Sequence, residues 1–408
     1  MKAIQFNPTI PRYIVGRALG HTTPKILWSG LSCTQYLDVP EPSIPGDDWV
    51  KIKTSYGGIC GTDLSAIRLH TSLSLTPFCS FPGTLGHEGV GYISELGSGV
   101  HDFQLGERVV IEPLLWCTPR GVDEPCQFCQ SGKISLCERA TDGIISPGMS
   151  IGFCGDTGGT WSQQFVAHRS QLYRVPNAVS DKNALMVEPF STGLHAVLDN
   201  FPRDDETVII LGAGTIGLSV ITALKAMGSK ARLIVLARHK FQANAAEKLG
   251  VSSVISGDRS YAFQEIAKYM GAKLKKPMMG KPVMVGGADR IFECVGSESS
   301  MEDALAMTRA GGQVIIVGMP SILRLDWTPI SVKELKICAS WAYHHAEELD
   351  GKRQATFDIA LDLMDQGKVN IDWMVTHTFP LAEYKNAFQM LAKRGKHQII
   401  KAAFKFDS

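Results

Sequence analysis

The sequence predicts an α/β protein of two domains, a doubly wound parallel sheet and a mostly β, partly barrel-like unit. Three observations predict it. Residues 208–240 read as strand, glycine turn, helix and strand. Two later apolar runs, 288–295 and 313–317, read as further parallel strands, each ending at a glycine. Outside this stretch the chain offers short strand-like runs between proline and glycine clusters. We place the first domain at residues 1–188, the second at 189–338, and the return of the chain to the first at 339–408. A chain of 408 residues has ample length to bury a core in each.

Taken in order, residues 1–56 read as strands and loops, with turn clusters at 40–42 and 45–47 and an alternating strand at 49–54. Chemistry begins at Cys60, in the turn Gly57-Gly58-Ile59-Cys60-Gly61-Thr62-Asp63. A lone cysteine there would be a small buried hydrophobe. It is followed by Gly86-His87-Glu88-Gly89, heading a strand at 90–96. Thiolate and imidazole together suit zinc, and Glu188 offers a third donor, so that Cys, His and carboxylate with an open position describe a catalytic metal. Whether Glu88 or Glu188 touches the metal stays open. Asp63 is the candidate to hold the second ring nitrogen of His87. Residues 144–160 read as a loop, 161–166 and 172–175 as strands, and 188–198 as a helix.

The centre of the second domain is Gly212-Ala213-Gly214-Thr215-Ile216-Gly217 between apolar strands at 208–211 and 233–236. Gly212 permits a tight turn, Gly214 lets backbone approach a pyrophosphate, and Gly217 lets the helix pack on the strand. The helix start then turns free N–H groups and a positive dipole end toward phosphate. The second strand ends at Ala237-Arg238-His239-Lys240, where an NAD-selective unit carries an acidic residue. A small residue leaves room for a 2′-phosphate, and Arg238, His239 and Lys240 supply donors to it, so NADP is expected over NAD. Gly296 and Gly318, at strand ends, fit close approach to the nicotinamide half. Residues 241–249, 355–365 and 382–393 read as helices, 273–281 as a basic surface insertion, and 398–406 as an alternating strand.

Composition narrows the partners. Forty-one basic and forty acidic residues leave a formal net charge of +1, which argues against a nucleic-acid partner. No apolar run is long enough to span a membrane, and residues 1–20 lack a signal-peptide core, so we expect a cytoplasmic protein with no membrane partner. Ten cysteines in that compartment point to metal or catalysis rather than disulfides.

These motifs, in this order, resemble the zinc-dependent medium-chain alcohol dehydrogenases, and the resemblance spans nearly the whole chain. Glu188, where the commonly pictured members have cysteine, resembles the polyol and threonine dehydrogenase branch. The resemblance implies a GroES-like catalytic domain, a Rossmann domain, an active site in the cleft between them, and a homodimer or homotetramer. It implies hydride transfer between an alcohol (a secondary alcohol, polyol or related hydroxy compound) and the cofactor, with Thr62 as first proton relay and Thr192 against the nicotinamide. Relatives continue the relay through a histidine where this chain has Ser65. It also implies a structural zinc in the lobe of Cys117, Cys126, Cys129 and Cys137. Relatives place the first cysteine where this chain has Asp123, and Cys117 is preferred because four thiolates match structural zinc chemistry. Two rival functions are a zinc lyase or epimerase that retains nicotinamide without net redox, and a non-catalytic NADPH-binding protein. Retention of Cys60, Thr62, His87 and Glu188 together favours the dehydrogenase. The substrate pocket, with Trp341 and His344 as candidate lining, carries no readable motif.

Overall fold

Residues 49–59 alternate well enough to form one long strand, Trp49–Ile59, and it is the spine of its unit. It pairs antiparallel with Gly89–Leu96, Gln164–His168 and Lys401–Lys405. The seven-stranded sheet continues to Arg108–Ile111 and Leu172–Arg174 on one side and Val375–Phe379 on the other. A second sheet joins Lys2–Phe6 to Thr34–Asp38 and Gly83–Thr84. In the computed structural model, which describes residues 1–20, 22–279 and 282–407, this unit comprises Met1–Glu188 with Tyr343–Ser408. Among its described residues, apolar cores are built around Trp161, Phe388 and Phe404 and around Trp49, Ile52 and Phe165.

The other unit is Pro189–Ala342. Its six parallel strands lie in the order Ser253–Ser256, Arg232–Ala237, Thr207–Leu211, Ala288–Glu293, Thr308–Ile316, Lys336–Ala339. In chain order this is 3-2-1-4-5-6, the doubly wound arrangement whose order reverses beside the first strand. Every residue of Thr207–Leu211 is buried, as a strand covered on both faces requires. No helix among the described residues is long and apolar enough to cross a membrane.

Three elements differ from the sequence expectation. Ile10–Leu19 is a helix, although residues 1–56 read as strands and loops. Pro11 falls in the first turn, where its missing N–H costs nothing. The expected strand 161–166 starts later, at Gln164–His168, because the Trp161 backbone is engaged elsewhere, its N–H to the Leu85 carbonyl and its carbonyl to the Ile4 N–H, both at 3.0 Å. The expected insertion at 273–281 is a hairpin of Lys273–Lys275 and Val283–Val285; its residues 280 and 281 lie outside the described residues.

Candidate active site

The long strand delivers Cys60 to the start of the short helix Gly61–Ile67. Asp63, fully buried in the first turn of that helix, does two things. Its Oδ2 accepts from the Cys60 N–H at 3.0 Å, and its Oδ1 faces His87 Nδ1 at 3.2 Å. With Nδ1 so engaged, Nε2 is the nitrogen available to a metal. Burial works against a charge on His87, but Asp63 and then Cys60 together offset it and hold the imidazole pKa well above its ordinary value. Pairing of Gly89 with Gly57 brings His87 and Glu88 alongside Cys60. One donor atom from each of Cys60, His87 and Glu88 lies within 4.8 Å of the others. Glycine is needed at 58: a Cβ there would stand 1.9 Å from Glu88 Oε2.

The two acidic candidates sit differently. Glu88 is 1% exposed and forms a buried ion pair with Lys401, which also donates to the Ile59 carbonyl at 3.2 Å. Lys401 reaches this place because its strand pairs with Trp49–Ile59, Ala402 opposite Ile59. Glu188 accepts from the Tyr343 hydroxyl at 3.4 Å. Burial, and then the Glu88 charge, push its carboxyl up to about 7, against the pull of His87 and Lys401. Thr62 Oγ1 is buried with no hydrogen-bond partner among the described residues, an orphan hydroxyl two residues from the Cys60 thiol. Lys401 and Tyr343 were missed in the sequence. The one available signal was a lysine inside the apolar run Ile399-Ile400-Lys401-Ala402-Ala403-Phe404. His344 faces the Ser135 hydroxyl at 2.9 Å.

The sulfurs of Cys117, Cys126, Cys129 and Cys137 lie within 4.8 Å of one another, Cys117 and Cys137 at 3.7 Å, and Asp123 is not in the group. Backbone N–H groups point at two of them, Cys126 N to Cys117 Sγ at 3.3 Å and Arg139 N to Cys137 Sγ at 3.4 Å. The Cys129 thiol, donating to it, holds Cys137 down at about 5, while burial pushes the Cys117 thiol up to about 11, so without a metal the neighbouring S–H groups steady a thiolate at Cys137 and not at all four sulfurs. The long span from Cys117 to Cys126 is folded by Arg120. Its guanidinium is fully buried and donates to the carbonyls of Asp142 (2.6 Å), Ile145 (2.8 Å), Ser146 (3.0 Å) and Gly148 (3.1 Å).

In the other unit, Gly212 turns the chain at φ 95° and Gly214 caps the helix Thr215–Ala226, whose first turn holds Thr215, Ile216 and Gly217. A Cβ on Gly217 would meet the Gly212 carbonyl oxygen at 1.8 Å, whereas one on Gly214 would meet nothing within 4 Å. The turn is therefore closed on its own side and open where a pyrophosphate would lie. Ala237 ends its strand, Arg238 follows, and His239 caps the helix Lys240–Lys248 while stacking on Phe241 at 5.7 Å. No acidic side chain occurs from 237 to 240. Gly296 and Gly318 are brought together by Glu293, a buried residue the sequence did not flag. Its carboxylate accepts from Val295 N (2.9 Å) and Gly296 N (3.0 Å), and its carbonyl accepts from Gly318 N at 2.8 Å. Thr192 lies in the helix Val187–Asp199.

Residues 46–177 match the alcohol dehydrogenase GroES-like domain and residues 215–366 the zinc-binding dehydrogenase domain. Among curated proteins the chain is similar to L-idonate 5-dehydrogenase of Vitis vinifera, 29% identical over 351 residues, 85% of each chain. It is 28% identical to sorbitol dehydrogenase of Homo sapiens over 362 residues, 87% of this chain and 88% of that one. Among solved structures, 2R,3R-butanediol dehydrogenase from Bacillus subtilis has the same fold, with TM-score 0.70, 24% identity, and coverage of 100% of this chain and 99% of that one. A candidate zinc-binding dehydrogenase from Sinorhizobium meliloti 1021, bound to NADP, superposes with TM-score 0.68 and 25% identity over 91% of this chain and 95% of that one.

Proposed function

From the premise that the chain belongs to the zinc-binding medium-chain alcohol dehydrogenases, in their polyol branch, we propose that it transfers a hydride between NADP and a secondary alcohol, polyol or related hydroxy compound. The observation that carries the reading is the Cys60–His87–Glu88 cluster with Asp63 behind the imidazole. Cys60 and His87 would hold a zinc ion with Glu88 or Glu188, and the donor set fits that metal. When bound, zinc supplies a Lewis acid at the substrate oxygen.

The chain's own residues do the rest. Asp63 fixes the tautomer and orientation of His87. As the first member of a relay, the Thr62 hydroxyl would receive the proton of a substrate alcohol while passing its own proton onward in oxidation, and run the transfer backwards in reduction. Lys401 offsets the Glu88 charge beneath the cluster, and Tyr343 fixes the Glu188 carboxyl. Thr192 packs against the nicotinamide. The turn at 212–217 holds the pyrophosphate, Ala237 leaves room for the 2′-phosphate, and Arg238, His239 and Lys240 bind it. Gly296 and Gly318 give the nicotinamide half close access to backbone. The four cysteines of the lobe would hold a second, structural zinc, which would fix a segment poor in secondary structure of its own.

The test is Cys60→Ser. It should abolish NADP-linked turnover while circular dichroism and the metal of the four-cysteine lobe stay as in the parent. Turnover retained at the parent's rate would remove the cluster from the mechanism.

A further inference from the structure

The mechanism makes no use of a buried group behind Tyr343. Glu112 follows the strand Arg108–Ile111 and is fully buried. Its backbone is fixed on both sides, N–H to the Gln171 carbonyl at 2.8 Å and carbonyl to Gln171 Nε2 at 3.0 Å. The carboxylate therefore meets its partner where it stands: His345 Nε2 lies 2.6 Å from Oε2. The Tyr173 hydroxyl closes the group, 3.4 Å from the same oxygen and 3.3 Å from His345 Nε2. A carboxylate buried this deeply is costly without a cation, so the pair does not separate freely.

Besides the Tyr173 hydroxyl, His345 is held by its ring to Glu112, its N–H to the Gly132 carbonyl at 2.8 Å, and its ring against Trp116 at 5.0 Å. Two residues earlier is Tyr343, fully buried, whose hydroxyl reaches Glu188. One ring joins the two ends: Phe357 packs on Tyr173 at 5.1 Å and on Tyr343 at 4.8 Å. The Tyr343–Glu188 contact is a single hydrogen bond of 3.4 Å, too weak to place a tyrosine by itself. Its placement comes from the segment that carries it.

We propose that the Glu112–His345 pair, closed by Tyr173, is a positioning device that holds the Tyr343 hydroxyl on the Glu188 carboxyl. The inference rests on the reading of Glu188 as an active-site group. The charged and titratable groups facing His345 are Glu112, Tyr173 and Asp358, the last from the helix Thr356–Asp365. Burial disfavours the imidazolium, but Glu112 and Asp358 outweigh it and raise the His345 pKa. The ion pair thus exists between two titrations: it is lost as pH rises through that of His345, and as pH falls through that of Glu112, which burial moves up.

The test compares His345→Ala with His345→Gln in the zinc-loaded enzyme. Gln keeps an N–H donor toward Glu112 but cannot titrate. His345→Ala should lower kcat by roughly ten- to a hundredfold, the cost of a misplaced active-site group, with KM for NADP unchanged. His345→Gln should recover most of kcat at neutral pH and lose the alkaline fall that His345 imposes. The visible spectrum of protein with cobalt(II) at the Cys60–His87 centre supplies a readout without turnover: it should change in His345→Ala and return in His345→Gln. A folded His345→Ala protein with the parent's kcat and cobalt spectrum would overturn the proposal. If His345→Ala fails to fold, an alkaline limb in His345→Gln unaltered from the parent's would overturn it. Absence of turnover in the parent would sink the dehydrogenase reading, leaving the cobalt spectra to decide this one.

Discussion

Replacing Lys401 by Met should destabilise the protein by about 3–4 kcal/mol, the lower part of the range for removing one partner of a buried ion pair. Lys401 and Glu88 are 3% and 1% exposed, so water cannot take the place of the lost ammonium. Glu88 must then stay charged and unpaired or bind a proton. Neutralising a carboxylic acid of ordinary pKa at pH 7 costs about 3–4 kcal/mol, which limits the loss. The penalty should shrink to roughly 1 kcal/mol at pH 5, where that proton costs little. The double variant Lys401→Met, Glu88→Gln should return most of the stability lost, because no charge is then left buried. Urea denaturation of the four proteins of this cycle at pH 7 and pH 5, followed by circular dichroism, measures each value. A single-variant loss below about 1 kcal/mol at pH 7, with no recovery in the double variant, would mean that Lys401 is not the counter-charge of Glu88.

Two further expectations follow from named groups. Cys117→Ser should cost the four-cysteine lobe its metal, measured as about one zinc per chain lost by elemental analysis, while Asp123→Asn should keep it; the opposite pattern would make Asp123 the ligand. Ala237→Asp should weaken NADPH binding by roughly tenfold or more while sparing NADH, because a carboxylate there repels a 2′-phosphate and favours a ribose hydroxyl. Calorimetric titration with both cofactors checks it, and an unchanged ratio would show that the turn at 237–240 does not read the phosphate.

What the sequence made legible was local or chemically marked. The turn at 212–217 announces itself because strand, glycines and helix are consecutive. Cys60 and His87 stand out because metal-binding side chains sit between glycines. The helix Ile10–Leu19 lies in a stretch that reads as strands and loops, and its Pro11 is harmless in a first turn. The spacing from Cys117 to Cys126 could not decide the fourth ligand, because Arg120 folds that span through carbonyls more than 20 residues away. The groups behind the acidic residues were out of reach for the same reason. Lys401 is 313 positions from Glu88 in the chain (401 − 88) and His345 is 233 from Glu112. Such pairs exist only once the carboxy-terminal strand and the segment 343–357 have returned to the first unit.

The account turns on metal-dependent hydride transfer to NADP. The direct measurement is NADP reduction, followed optically, across secondary alcohols, polyols and 3-hydroxy amino acids, with and without a zinc chelator. The account predicts turnover of at least one hydroxy compound that chelation removes and zinc restores. Silence across the panel in protein shown to contain zinc, or turnover indifferent to the chelator, would contradict it.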